Sequence, residues 1–150
     1  MKNFFKQYGV YIGFTVALIA TLGSLYFSEI AKFPPCVLCW YQRICMYPLV
    51  AILGFSIYKR SREMILPAFI LAPIGFLIGI YHNLLYYKIL PESAAPCING
   101  VSCTTKFIQW GGFVTIPLLS LLGFAFILIV LIIYWNATSN NNVEEQTNYV

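Results

Sequence analysis

The stretch PPCVLCWYQR, from Pro34 to Arg43, holds the residue types best suited to chemistry in this chain. Cys36 and Cys39 form a C-x-x-C pair, and Arg43 follows the second cysteine by four residues. Because a double proline can precede a helix but not sit inside one, we expect a helix to begin close to Cys36. Residues three and four apart share a helix face, so the two thiols and the guanidinium are predicted to lie together.

A helix start is a favourable place for a reactive sulfur, because its unpaired N–H groups stabilise a thiolate. Arg43 adds a permanent cation one turn from Cys39. It either supports a thiolate or holds an anionic ligand beside it. The alternative is that Arg43 only extends toward the lipid headgroups.

A second cysteine pair, Cys97 and Cys103, has the spacing C-x5-C. In an oxidising compartment the natural disulfides are Cys36–Cys39 and Cys97–Cys103. The C-x-x-C ring is too small to constrain much of the unfolded chain, which favours a redox pair over a structural staple. Zinc is a weaker alternative, because four-thiolate sites normally repeat C-x-x-C. The fifth cysteine, Cys45, is most simply a small buried apolar residue.

Composition places these cysteines in a membrane protein. Apolar residues make up 60% of the chain and charged residues 9%, whereas soluble domains have about 45–50% and about 25%. Each of four apolar runs is near the roughly 20 residues of a membrane helix. They span residues 8–28, 39–58, 64–86 and 113–135. We therefore predict an all-α membrane protein, a bundle of four transmembrane helices, with the first run retained as a span rather than cleaved as a signal peptide.

Basic residues predict the orientation of the bundle by the positive-inside rule. Five lie on one side of the four alternating spans and three on the other: Lys2, Lys6, Lys59, Arg60 and Arg62, against Lys32, Lys88 and Lys106. Both termini are thus expected in the cytoplasm and the two cysteine-bearing loops outside. Residues 136–150 are polar and rich in asparagine, which predicts a disordered cytoplasmic tail.

Three further features carry weaker signals. His82, near the outer end of the third span, is either a polar anchor or a ligand. The segment TTKFIQWGG before the fourth span is predicted to lie on the membrane as an amphipathic stretch. Gly75 and Gly79 form a G-x-x-x-G pattern that would allow a close helix contact. The net charge of +4 comes without a basic, aromatic patch, so nucleic acid is not an expected partner.

The octapeptide CVLCWYQR resembles the C-V-L-C-x-Y-x-R signature of the DsbB-type disulfide bond formation proteins. The resemblance covers four spans, a C-x-x-C at the head of the second, and a cysteine pair between the third and fourth. The compact size is similar to the BdbC type of Gram-positive bacteria. The resemblance to this family implies a quinone-dependent thiol oxidase in the bacterial cytoplasmic membrane. The cofactor would be menaquinone or ubiquinone, and the partner a thioredoxin-fold thiol oxidase of the DsbA type.

The same resemblance implies roles for individual residues. Cys36 and Cys39 would stand next to the quinone, with the Cys39 thiolate meeting its ring. Arg43 matches an arginine that supports quinone binding, and His82 falls near a quinone-site histidine.

The second pair would face the partner, with Cys97 exchanging with the partner's thiol and Cys103 completing the pair. Gln42 stands where relatives often have an acidic residue, so no carboxylate role can be assigned there.

Electrons would then pass from the partner to Cys97–Cys103, on to Cys36–Cys39, and finally to quinone. Three other interpretations stay open at this point. They are a structural four-span protein with disulfide-stapled loops, a small transporter, and a relative of the vitamin K epoxide reductases. The transporter fits poorly because the spans hold almost no ionisable residues. The reductases carry their active pair at the last span.

Overall fold

The computed structural model describes the backbone of residues 2–59, 61, 63–91 and 115–147, and the side chains of residues 8–59, 61, 63–91 and 115–138. Within these ranges the chain is helical and contains no strand. The elements in chain order are α1 (Lys2–Leu25), which continues as a π-helical turn (Tyr26–Ile30), α2 (Val37–Lys59), a 3₁₀ turn (Glu63–Ile65), α3 (Ala68–Tyr86) and α4 (Ile116–Thr147).

Four helical segments are long and apolar enough to cross a membrane, which confirms the predicted fold class. They are Tyr8–Ile30, Val37–Lys59, Glu63–Tyr86 and Ile116–Thr138. Only 17–33% of each hydrophobic stretch is buried inside the protein. Large apolar side chains such as Ile19, Leu77 and Ile129 therefore point outward, as expected where lipid rather than water surrounds the bundle.

The four helices form a closed ring in which each packs against two neighbours: α1 against α2 and α4, and α3 against α2 and α4. Leu49, Leu53, Phe124, Ile127 and Leu131 are fully buried in the shared core. Protein interiors are close-packed, so each of these side chains contacts several others, and the contacts fix the relative positions of the four helices.

The G-x-x-x-G pattern of α3 lies against α4. A Cβ atom on Gly75 would overlap the Phe124 ring. One on Gly79 would lie 3.2 Å from Leu121 and 3.5 Å from the amide nitrogen of Gln42. The small residues therefore allow the close helix approach that the sequence suggested.

A sharp turn joins the first helix to the start of α2. Lys32 adopts a left-handed backbone conformation with φ of 51°, and the amide of Phe33 donates to the carbonyl of Phe27 at 3.0 Å. This hydrogen bond closes the helix end in the way of a left-handed C-cap. Pro34 and Pro35 then lead directly into Cys36, at the head of α2.

The helix boundaries differ from the sequence expectation mainly at the end of the chain. Helix α4 continues to Thr147, although the sequence predicts disorder from Asn136. No glycine or proline interrupts residues 136–147, so no residue breaks the helix there. The hydroxyl of Thr138 donates to the carbonyl of Tyr134 at 2.9 Å, one turn back along the same helix.

Candidate functional site

Cys36 occupies the N-cap position of α2. Its carbonyl accepts the first helical hydrogen bond, from the amide of Trp40 at 3.1 Å. Its Sγ accepts a hydrogen bond from the amide of Cys39 at 3.3 Å. A side-chain acceptor at this position satisfies one of the unpaired N–H groups of the helix start. The predicted placement of the C-x-x-C motif at a helix N-terminus thus agrees with the structure.

The sulfur of Cys36 is surrounded by hydrogen-bond donors. Its Sγ lies 2.8 Å from the Sγ of Cys39 and 3.7 Å from Nε2 of His82. The hydrogen bond from the Cys39 thiol, followed by the hydrogen bond and charge of His82 and the Cys39 amide, outweighs burial and lowers the pKa of Cys36 to about 4. Cys36 is therefore a thiolate at neutral pH, and this is the form that reacts in thiol chemistry.

His82 comes to the thiol pair from α3 and is 2% exposed. The sequence left open whether it is an anchor or a ligand. The structure places its Nε2 against Cys36 Sγ, while its Nδ1 has no hydrogen-bond partner among the described residues. A buried ring nitrogen without a partner has the capacity to bind something that enters the site.

Arg43 links α2 to α1. Its Nε donates to the hydroxyl of Ser24 at 2.8 Å, and its Nη2 donates to the carbonyl of Ser24 at 2.9 Å. The guanidinium lies 5.5 Å from the centre of the Trp40 ring, within range of a cation–π interaction. The side chain is thus held within the bundle by α1, and it also lines the cavity described next.

A cavity of about 430 Å³ opens beside the thiol pair, within the range typical of small-molecule sites. Helix α2 contributes one face to it over about three turns, from Cys36 through Arg43 to Tyr47. Helices α1, α3 and α4 complete the wall, and most of the lining is apolar, as in Val16, Ile19, Phe27 and Leu119.

Gln42 is the site residue that the sequence analysis did not assign. It is 6% exposed and lines the cavity. Its Oε1 accepts a hydrogen bond from the hydroxyl of Ser120 at 3.2 Å, while its Nε2 has no partner among the described residues. A polar residue one position before a site arginine, on the same helix face as Cys39, was the available signal.

The cavity fits a membrane quinone. A quinone ring and its isoprenoid tail are apolar, and each of its two carbonyl oxygens accepts hydrogen bonds. Among the described residues, neither Gln42 Nε2, a buried donor, nor His82 Nδ1, a buried ring nitrogen, has a hydrogen-bond partner. Both residues line the same apolar space, next to the thiols. The residues present therefore match the chemistry of the group that the resemblance implied.

The remaining cysteines are placed differently. Cys45 is buried in the hydrophobic core of the bundle, which agrees with a packing role. Cys97, Cys103 and the segment TTKFIQWGG lie outside the described residues, so their predicted roles stay predictions.

A thiol pair at the head of a membrane helix, with Cys36 buried and Cys39 half-buried, lies open to an apolar cavity and defines a multi-pass membrane protein with a thiol redox site. Comparison with known proteins agrees with this class. The family described as Disulfide bond formation protein DsbB matches residues 6–136, and the chain belongs to this family.

The similar relatives carry matching names. Disulfide bond formation protein C of Bacillus subtilis (strain 168) is 48% identical over 132 residues, which cover 86% of this chain and 92% of that protein. Probable disulfide formation protein C 1 of Bacillus anthracis is 47% identical over 125 residues, covering 83% and 89%. Probable disulfide formation protein C 2 of the same organism is 42% identical over 144 residues, covering 95% and 96%. No solved structure matches the chain.

Family membership gives the chain a disulfide-forming oxidoreductase role in a membrane, as the sequence predicted. It also removes the transporter and the purely structural interpretation from consideration.

Proposed function

We propose that the protein reoxidises a DsbA-type thioredoxin-fold thiol oxidase and passes the electrons to a membrane quinone. The observation that supports this best is the contact between a stabilised Cys36 thiolate and an apolar cavity with free buried donors. A thiol site for soluble partners alone would have no use for an apolar cavity of quinone size. The cytoplasmic membrane of a bacterium is the proposed location, with the active cysteines on its outer side.

The Cys36–Cys39 pair is the proposed carrier between the second cysteine pair and the cofactor. Its oxidation forms one S–S bond and releases two electrons together with the protons that the thiols still hold. When bound, a quinone supplies the acceptor for two electrons and two protons.

The hydrogen bonds to Cys36 support the proposed direction of exchange. A disulfide becomes a stronger oxidant when its reduced form is stabilised, as happens when one of its thiols has a low pKa. The donors around Cys36 stabilise the reduced pair in this way. A Cys36–Cys39 disulfide would therefore draw electrons from Cys97 and Cys103, which would in turn take them from the partner's dithiol.

Three polar side chains are proposed to hold the cofactor. Gln42 would donate its Nε2, which has no partner among the described residues, to a carbonyl oxygen. His82 Nδ1 would donate in the same way when it carries a proton, and the Arg43 guanidinium, fixed by Ser24, contributes positive charge near Cys39. These donors would strengthen as negative charge develops on the oxygens, which is how preorganised dipoles assist a reaction. His82 also lies where it can exchange a proton with Cys36.

The test is oxidation of a reduced partner dithiol by purified protein with added quinone, followed by trapping of free thiols. Cys36→Ser and Cys39→Ser should each abolish quinone-dependent turnover, because neither variant can form the Cys36–Cys39 disulfide. Cys45→Ser, on the same helix but in the core, is the matched control and should keep turnover. If both site variants still oxidise the partner at the normal rate, the proposed route is wrong.

The binding of quinone has a separate test. Arg43→Ala should raise the apparent KM for quinone, because it removes the guanidinium next to the cavity. Unchanged quinone kinetics in this variant would restrict Arg43 to linking α1 and α2. Trapping that shows the outer disulfides never cycle would instead leave them as staples and overturn the electron route as a whole.

A further inference from the structure

Three side chains in the site carry ligand atoms of the kind that bind thiophilic metal ions. The two sulfurs of Cys36 and Cys39 and a ring nitrogen of His82 all lie within 4.8 Å of one another. Two of these residues come from the head of α2 and the third from α3. The sequence disfavoured zinc because the second cysteine pair does not repeat C-x-x-C, but the fold supplies a different third ligand, a histidine 46 residues away from Cys36.

The spacing of the three atoms is close to that of a tetrahedral metal site. With Zn–S bonds of about 2.3 Å and Zn–N bonds of about 2.0 Å, tetrahedral angles put sulfur and nitrogen about 3.5 Å apart and two sulfurs about 3.8 Å apart. The observed distance from Cys36 Sγ to His82 Nε2 is 3.7 Å. The two sulfurs are 2.8 Å apart, about 1 Å closer than a tetrahedral site requires, so at least one of the two cysteine side chains must rotate when the metal binds.

We propose that the reduced Cys36–Cys39 pair, together with His82, binds one thiophilic divalent cation of the Zn²⁺ class. Binding joins the metal to two thiolates and one neutral imidazole through Nε2. It releases the protons that the thiols still carry, and the proton that Nε2 donates to Cys36 in the metal-free site moves to Nδ1 or to solvent. Three protein ligands leave a fourth position open. All three ligand residues line the cavity, so water or another small ligand from it would complete the coordination.

The proposed metal site exists only when the Cys36–Cys39 pair is reduced. The two sulfurs of a Cys36–Cys39 disulfide have no thiolate to offer, so oxidation removes two of the three ligands. The reverse also holds: a bound metal occupies both lone-pair-bearing sulfurs and prevents formation of the S–S bond. The cation is therefore a reversible brake on the reduced enzyme, and a chelator releases it. This inference does not depend on which acceptor or partner the protein uses.

Cobalt(II) is the appropriate probe, because it takes the place of Zn²⁺ and gives visible absorption bands when it is tetrahedral and bound by thiolates. In the full chain carrying Cys97→Ser and Cys103→Ser, Cys36 and Cys39 are the only cysteine pair that remains. Titration of this protein after reduction should give bands that saturate at one metal per chain and disappear when Zn²⁺ is added. The same protein with an oxidised Cys36–Cys39 pair should give none.

Variants separate the proposed ligands from the rest of the chain. Cys36→Ser and Cys39→Ser should remove the thiolate bands, and His82→Gln should weaken binding at least about tenfold, because even changes to residues behind a ligand have such effects. Cys45→Ser, in the same helix, should bind as the parent does. Circular dichroism of each variant reports whether the helices are intact, and Cys39→Ala provides a second removal of the thiol if Cys39→Ser unfolds.

Equal cobalt bands in reduced and oxidised protein would overturn the proposal. So would bands that persist in Cys36→Ser, or binding that is unchanged in a folded His82→Gln variant, because the cation would then lie elsewhere. None of these outcomes bears on quinone-linked thiol oxidation, which is tested by turnover of metal-free protein.

Discussion

At the scale of single residues, the two cysteines of the motif differ because their surroundings differ. Cys36 receives hydrogen bonds from the Cys39 amide and lies against His82, whereas Cys39 follows one turn into the helix. Spacing in the sequence indicated that the motif was reactive and set it beside Arg43. It could not show that the strongest donors converge on the first sulfur, because one of them comes from α3.

The thiolate of Cys36 gives the first prediction. Its pKa lies near 4 mainly because the Cys39 thiol donates to it, so the sulfur should stay ionised from neutral pH down to about pH 4 and protonate only below that. In Cys39→Ala this donor is absent, and the midpoint of the ultraviolet thiolate absorbance should move to higher pH.

Cys39→Ser is the matched control, because its hydroxyl can still donate to Cys36 and the midpoint should stay low. Both variants are measured with the other cysteines replaced. Identical midpoints for the alanine and serine variants would contradict the role given to the Cys39 side chain.

Gln42 gives the second prediction. Gln42→Met keeps the length and apolar stem of the side chain but removes the unpaired Nε2 from the cavity. A lost neutral hydrogen bond costs about 0.5–1.5 kcal/mol, so the KM for quinone should rise by roughly 2- to 13-fold with kcat much less affected.

Ser56→Ala is the control for this measurement. Ser56 is a second buried polar residue on α2, but it donates to the carbonyl of Ser61 at the other end of the helix. It should leave the KM unchanged. An unchanged KM in Gln42→Met as well would reduce Gln42 to a link with Ser120 between α2 and α4.

At the scale of helices, α3 and α4 can approach closely because Gly75 has no side chain. Gly75→Ala would place a methyl group in overlap with the fully buried Phe124 ring. Overpacking of this kind costs about 1–3 kcal/mol, so we expect a lower midpoint of thermal unfolding in detergent. Gly23→Ala, whose Cβ meets nothing within 4 Å, should be neutral or slightly stabilising. Equal unfolding midpoints for the two variants would mean that α3 and α4 can separate at little cost.

The helices themselves were predictable because each apolar run is long enough to need a lipid environment. The head of α2 was predictable because two consecutive prolines, neither with a backbone N–H group, favour the position just before a helix begins. The ring order of the helices was not, since outward-facing and inward-facing residues of a membrane helix are equally apolar. For that reason the contacts of Ser24 with Arg43 and of Ser120 with Gln42 leave no pattern in the sequence.

At the scale of the whole molecule, the site makes sense only in one position relative to the bilayer. The thiol pair lies at the head of a span, and the cavity extends from it toward Met46 and Tyr47, into the apolar part of the helix. In the proposed route, a water-soluble partner would reach this site from the aqueous side and a lipid-soluble carrier from within the membrane.

The orientation of this arrangement is the last prediction. The excess of basic residues around the turn between α2 and α3 places that turn in the cytoplasm and the thiol pairs outside. In a chain whose five native cysteines are replaced, Ser61→Cys lies in that turn and should resist a membrane-impermeant maleimide in intact cells. A second chain that keeps Cys97 alone should react with it. Both should react once the cells are permeabilised. The opposite labelling pattern would put the reactive sulfurs in the reducing cytosol, where a disulfide-forming site could not deliver disulfides to secreted proteins, and the proposed electron route would fail.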